Sequence, residues 1–207
     1  MHIIVDCQLF PNIDYFKNLA QCEYIEIETF EYFGKTSFRN RYVIAGANGL
    51  IHLTVPVAGG REQRTLFTEV EIDNTIDWRT KHWRSIQSSY SNAPFYNYYH
   101  EEIKSLLFQE EKKLFNFNIF IINRLCKLLI INKKIGFTTA YKRCCEEKMD
   151  FRNRLLPGNF QANSNNWQPK YAQVFEDRMG FQPNLSILDL LFCAGPNALN
   201  LIKLSSI

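Results

Sequence analysis

The chain of 207 residues is 46% hydrophobic and 22% charged, which excludes a disordered or collagen-like polymer and suits one globular domain, or at most two small ones. Its 17 Phe and 10 Tyr provide for a large aromatic core. A formal net charge of +3 argues against a bulk electrostatic grip on nucleic acid.

The N-terminus, MHIIVDCQLFP, lacks the basic segment of a secretory leader. The long apolar stretch at 118–131 is too short for a bilayer and is interrupted by Asn123, Arg124 and Lys127. A cytoplasmic protein without a transmembrane segment is expected. The six cysteines form no C-x-x-C pair, so reduced thiols and no zinc site are expected.

In chain order, residues 2–6 are a β-branched run and predict a strand. A helix is expected over 14–20, capped by Asp14. Residues 24–28 (YIEIE) alternate with period two, and strand–helix–strand implies parallel pairing. Next comes RYVIAGANGLIHLTVPV, with Asn48-Gly49 at the centre of a predicted two-residue type I′ hairpin spanning 41–57. That register sets Ala45 opposite His52, Val43 opposite Thr54 and Arg41 opposite Pro56. One face then carries Tyr42, Ile44, Ile51, Leu53, Val55 and Val57, and the other Arg41, His52 and Thr54. A short strand is expected at 68–73. Helices follow at 78–90 behind the cap Asp77, at 97–108 and at 110–131. A polar loop fills 148–170, and Asn184 caps an apolar helix, LSILDLLF. Gly195 closes that helix and Pro196 opens the next. The reading is a single α/β or α+β domain over 1–207. A small mixed sheet comes from 1–73 and is packed by a helical part over 74–207.

Chemistry is sought where polar groups fall on apolar faces. On the 78–90 helix, Trp78, Arg79, His82, Trp83, Ile86 and Tyr90 share one face, and Lys81, Arg84, Gln87 and Ser88 the other. Arg79 and His82 therefore need internal partners or border a ligand cavity. The segment KTSFRNR, residues 35–41, gathers Arg39, Asn40 and Arg41 and suits an anion, the other reading being a solvated basic loop. Asp6 ends the first strand. Asp189 interrupts an apolar run and calls for a partner, with Arg79, Arg39 or Arg41 as candidates. Tyr171, Gln173 and Phe175 belong to the same region or to the core. There is no G-x-S-x-G elbow, no glycine-rich phosphate loop and no second histidine at helical spacing from His100, so neither metal nor cofactor is expected. Cys7 reads as a small buried apolar residue rather than a nucleophile.

Seven motifs in this order resemble the WbqC-like family in the form seen in Bacteroidetes-type bacteria. They are QLFPNIDYF (8–16), KTSFRNR (35–41), LTVPV (53–57), WRTKHW (78–83), SYSNAPFYNYY (89–99), YAQVF (171–175) and FQPNLSILDLLF (181–192). Two departures stand out. Phe10 occupies a position where the family more often has tyrosine, and Cys193-Ala194 replaces a frequent Asn-Glu. The resemblance implies O-antigen or other surface-polysaccharide biosynthesis, with a suggested glycine-transferase role.

Two main readings follow. In one, the protein transfers a small acyl or aminoacyl group onto an amino sugar carried on a nucleotide or lipid. His82 is the base, although His52 is also available. Arg39 and Arg41 hold a pyrophosphate or carboxylate, Asn40, Arg79 and Tyr90 contact the substrate, and Asp6 or Asp189 fixes the histidine or pairs an arginine. The expected partners are an anionic or sugar-nucleotide substrate and an aminoacyl donor, without DNA. In the other, the chain is a non-catalytic binding or scaffolding protein of glycan assembly. It then has internally bridged arginines and an exposed aromatic patch at Phe95, Tyr96, Tyr98 and Tyr99. A third reading, RNA binding, rests on the basic-aromatic stretches alone.

Overall fold

The computed structural model describes residues 1–34, 36–60, 64–143, 148–162 and 169–204. The first strand, β1 (His2–Val5), leads through α1 (Ile13–Gln21) to β2 (Tyr24–Ile27), and the two strands pair in parallel with Ile3 opposite Ile25 and Val5 opposite Ile27. These four side chains are buried in the main core. Between β1 and α1 the chain turns at Phe10, whose φ of 38° is strained for a bulky residue. The cap of α1 is Asn12, whose side chain accepts from the Tyr15 amide at 3.3 Å, rather than Asp14. Asp14 lies within the first turn, two residues after the cap, and its own amide donates to the Asn184 side chain at 2.9 Å.

Two more strands join this sheet from the far half of the sequence. They are β5 (Lys134–Phe137) beside β2 and β6 (Met149–Asp150) beside β1. The order is β5-β2-β1-β6, and every pairing is parallel. The part beyond residue 73 is therefore not wholly helical. The segment read as a polar loop contains β6, whose two-residue length leaves no periodicity to detect. Gly136 of β5 lies against the Tyr24 ring, where a Cβ would collide with the hydroxyl.

The hairpin of β3 (Arg41–Gly46) and β4 (Gly49–Thr54) forms its own two-stranded sheet. Arg41 lies opposite Thr54, Val43 opposite His52 and Ala45 opposite Leu50. The turn centre is Ala47-Asn48, and Gly49 takes the positive φ, at 130°. Each partner has moved by two residues from the sequence-based register. A shift of two conserves side-chain parity, so the apolar face stays as read. Tyr42, Ile44, Leu53 and Val55 are buried on it, while Val43 and Ala45 on the other face pack with Phe38, Phe160 and Leu185. The 68–73 stretch is a single 3-10 turn, Phe67–Glu69, followed by isolated bridges from Glu71 and Ile72.

Helix α2 (Trp78–Tyr90) has the expected limits, with the Asp77 carboxylate accepting from the Thr80 amide at 3.2 Å. It buries Trp78, His82, Ile86 and Tyr90 and exposes Lys81, Arg84, Gln87 and Ser88. Helices α3 (Tyr96–Leu107) and α4 (Leu114–Leu128) follow, then the short α5 (Glu176–Met179). The apolar α6 (Ile187–Ala194) is capped by Ser186, not Asn184, and α7 (Ala198–Leu204) follows a turn at Gly195-Pro196. Asn184 instead adopts a φ of 54° and donates to the Phe160 carbonyl at 2.8 Å. The stretch Ile187–Leu204 has the length and hydropathy of a membrane span, but Gly195 interrupts it and 56% of it is buried inside the fold.

Candidate active site

Because the four strands of the main sheet run the same way, the residues that follow them emerge along one edge. This is the usual place for a ligand crevice in a parallel sheet. Here β1 delivers Asp6 and Gln8, β2 delivers Glu28 and Glu31, β5 delivers Thr138, and β6 delivers Asp150, Arg152 and Asn153. The KTSFRNR segment is drawn to the same edge by a bond from the Leu9 amide to the Phe38 carbonyl at 2.9 Å, and it adds Arg39. Helix α4 adds Asn118, whose side-chain amide donates to the carbonyls of Arg39 (2.7 Å) and Cys7 (3.4 Å).

One half of this cluster is a closed network. Arg152 donates to Glu28 at 2.6 Å, to Asp150 at 2.6 Å and to the Lys142 carbonyl at 2.7 Å. Glu28 also accepts from the Thr138 hydroxyl at 2.9 Å and the Phe30 amide at 2.8 Å. The other half is open in its bonding. Arg39 is bridged to Glu31 and donates to Asn153 at 3.3 Å, while Asn153 donates back to Glu31 at 2.8 Å from a backbone with φ 54°. Gln8 donates to both oxygens of Asp6, at 3.4 and 3.3 Å. Three fully enclosed polar atoms have no protein partner among the described residues: Gln8 Oε1, Arg39 Nε and Asn118 Oδ1. Native interiors rarely leave such groups unpaired, and their residues adjoin, since Asn118 bonds the Arg39 carbonyl, Gln8 bonds Asp6, and the Arg39 charge acts on Asp6, so this buried cluster is the candidate place for a ligand or water. Burial pushes the Asp6 carboxyl above its ordinary range, Arg39 opposes that shift, and Glu31 adds to it.

The residues singled out from sequence fall into separate groups. Asp6 and Arg39 adjoin in this buried cluster. His82 lies elsewhere, boxed by the rings of Tyr42 (5.5 Å) and Trp78 (5.2 Å). Its Nε2 faces the Thr54 carbonyl at 3.3 Å and its Nδ1 faces the Tyr42 hydroxyl at 3.2 Å. A carbonyl only accepts, so Nε2 carries the proton and Nδ1 accepts from Tyr42. Burial lowers the pKa of this histidine to about 4, partly offset by the Thr54 carbonyl. A neutral ring with both nitrogens occupied has no lone pair to offer as a base. His52 is exposed on β4.

Asn40 is a structural staple: its amide side chain donates to the Val55 carbonyl at 2.9 Å, and its own carbonyl accepts from the Val55 amide at 2.8 Å. Arg41 is half-buried at the start of β3. Arg79 stacks on Trp78 at 4.3 Å, donates to Asn74 at 2.6 Å and to the Gln109 carbonyl at 3.2 Å, and borders a shallow surface hollow with Glu110 and Lys112. The expected pairing of Asp189 with an arginine is corrected. Its partners are the hydroxyls of Tyr90 (2.9 Å) and Tyr171 (2.6 Å) and the Gln173 amide (2.8 Å). Neutral donors suffice there, and burial raises the carboxyl's pKa against their pull. Cys7 is buried, with its thiol pushed well above the usual range by desolvation, then by Asp6. Lys35, Cys144 and Cys145 lie outside the described residues.

Sequence reasoning missed Gln8, Glu28, Glu31, Asn118, Arg152 and Asn153 as site residues. The only local signal was Asn118, a buried amide in an apolar helix. The others become neighbours only through the sheet.

Residues 7–157 match the model of the WbqC-like protein family. The match takes in the whole strand-end cluster except Asp6 and leaves out Tyr171, Gln173 and Asp189. The chain is also similar to "Uncharacterized protein Rv1507c" of Mycobacterium tuberculosis, at 25% identity over 219 residues that cover 94% of each chain. No solved structure matches it significantly.

Proposed function

The chain belongs to the WbqC-like protein family, and from that premise we propose that it transfers a small acyl or aminoacyl group, glycine foremost, onto an amino sugar during O-antigen or other surface-polysaccharide biosynthesis. The observation that carries this reading is the buried strand-end cluster. It holds the Asp6 carboxyl, with a raised pKa, beside three unpaired polar atoms on Gln8, Arg39 and Asn118, and these three residues lie in the part of the chain that the family model covers, which begins one residue after Asp6. The amine nitrogen attacks the donor's carbonyl carbon. The new N–C bond forms, the bond to the leaving group breaks, and the amine proton passes to Asp6 and on to the leaving group. A carboxylate whose pKa is raised by burial suits that task better than an ordinary one. The unpaired Nε–H of Arg39 is the donor for the developing oxyanion. Asp6 thus takes the role first read for His82, whose nitrogens are occupied. Nucleotide-linked substrates fit the cytoplasm as the site of reaction.

The test is mass spectrometry of UDP-linked amino sugars incubated with the protein and activated glycine donors, thioester or tRNA-linked. The expected product has gained one glycyl residue. Asp6→Asn is expected to lower turnover at least about a hundredfold while the fold survives. Unchanged turnover would remove Asp6 from the mechanism.

The bridge between Arg39 and Glu31 favours a second reading, a non-catalytic binding or scaffolding protein, because it occupies a cation that an anionic substrate would need. Of the aromatic patch named for that reading, Tyr98 is 75% exposed and Phe95 half-buried, while Tyr96 and Tyr99 are buried. Ligand binding with no transfer from any donor would support it.

A further inference from the structure

We propose that the buried strand-end cluster is a subsite for a primary ammonium group, that of the amino sugar acceptor. This deepens the transferase reading and rests on its choice of site. The unpaired atoms indicate the chemistry. The side chain of Gln8 presents its NH2 to the Asp6 carboxylate, which only accepts, so its oxygen must face away. The NH2 of Asn118 is likewise fixed by two carbonyls, which orients its oxygen too. Both residues are at least 99% buried. Gln8 Oε1 and Asn118 Oδ1 are therefore forced acceptors, and an ammonium group brings three donors to these two atoms and the Asp6 carboxylate.

Charge agrees with this assignment. Four carboxyls (Asp6, Glu28, Glu31 and Asp150) face three guanidiniums, Arg39 and Arg152, which are both already bridged to acids, and Arg154 beside Asp150, which leaves one negative charge in excess among the described residues. A phosphate would meet excess negative charge, whereas a cation relieves it. A divalent metal is disfavoured because no three His, Cys, Asp or Glu side chains among the described residues are arranged to hold one. At the same end of the sheet, the Phe30 amide bonds Glu28, the Tyr141 ring lies 5.1 Å from the Arg152 guanidinium and Phe137 ends β5, and these exposed rings (40%, 53% and 46%) are candidates to carry an apolar sugar face.

The experiment titrates the full chain by calorimetry with glucosamine, N-acetylglucosamine, methylammonium and inorganic phosphate, below about pH 7 so that the amines are charged. Glucosamine is expected to bind at least about tenfold more tightly than N-acetylglucosamine. Methylammonium should compete with it, and phosphate should not. Gln8→Met, which conserves volume and removes the acceptor, should weaken glucosamine at least about tenfold, while Lys81→Ala should leave binding unchanged. Gln8→Met also loses the bonds to Asp6 and should melt at a lower temperature, so binding is measured well below its melting point, where circular dichroism shows the native fold. Equal affinity for the N-acetylated sugar, competition by phosphate, or no binding of either amine would overturn the ammonium subsite. Amine binding without glycyl transfer would sink the transferase reading alone. Transfer without amine preference would sink the subsite alone.

Discussion

His82 shows how a residue that looks catalytic in sequence becomes structural once its partners are known. Its folded pKa, about 4, lies below the unfolded value near 6.5. Between those values the unfolded chain binds more protons, so the stability supplied by the neutral ring is complete above about pH 6.5 and is lost as the pH falls towards 4. The loss amounts to about 3 kcal/mol at most. Urea unfolding of the wild type and His82→Gln across this range checks it: the variant should lose that part of the pH dependence. Asp14 acts in the opposite sense, because burial raises its carboxyl to about 6 and Lys17 only partly offsets this. Its contribution is present at low pH and fades as the pH rises from about 4 towards 6. At Asp189, Tyr90→Phe removes one bond to a buried carboxyl and is expected to cost about 1.5–3 kcal/mol by chemical denaturation. Double-mutant analysis with Tyr171→Phe should show coupling, since both hydroxyls serve the same group. Sequence alone established that Asp189 needed a partner, because it sits in an apolar run. It did not specify which one, since residues 90 and 171 come near it only after folding.

At the scale of elements, the parts decided by local chemistry were legible. Helix α2 begins at its Asp77 cap and hides the face its periodicity predicts, and α6 stops at Gly195 with φ 54°. The hairpin was found with the right faces, but its turn sits one residue earlier because Gly49, not Asn48, adopts the positive φ. Gly49→Ala should therefore cost about 1 kcal/mol in thermal unfolding although open space surrounds the new methyl group, while Asn48→Ala should be nearly silent. The caps at Asn12 and Ser186 were each misplaced by two residues in sequence. Asp14 and Asn184 were as plausible chemically, but both are committed to the bond that joins the start of α1 to the segment before α6. Strands β5 and β6 could not be read because their few residues are strands only through pairing with β2 and β1.

Across the whole molecule, Arg152 ties together β2 and β6, which are separated by β1 in the sheet. Removing it alone leaves the Glu28 carboxylate, with a side chain 0% exposed, without its cation. Arg152→Met is expected to cost about 3–5 kcal/mol, and adding Glu28→Gln should recover much of that. Guanidinium unfolding of the two single variants and the double variant measures the coupling. The same long-range closure produces the strand-end cluster, which draws on residues as far apart as Asp6 and Asn153. What the sequence by itself determined was the class of fold, the parallel start of the sheet, the capped α2, the faces of the hairpin and the family resemblance. Each of these depends on side-chain periodicity or on chemistry within a few neighbouring positions. Only the tertiary structure decided that His82 is a satisfied core residue, that Asp189 is held by tyrosines, and that Asp6 and Arg39 share a buried cluster with Gln8 and Asn118. Those outcomes depend on which polar atoms desolvation leaves facing each other across the folded chain, and that is fixed by strand order and packing rather than by spacing along the sequence.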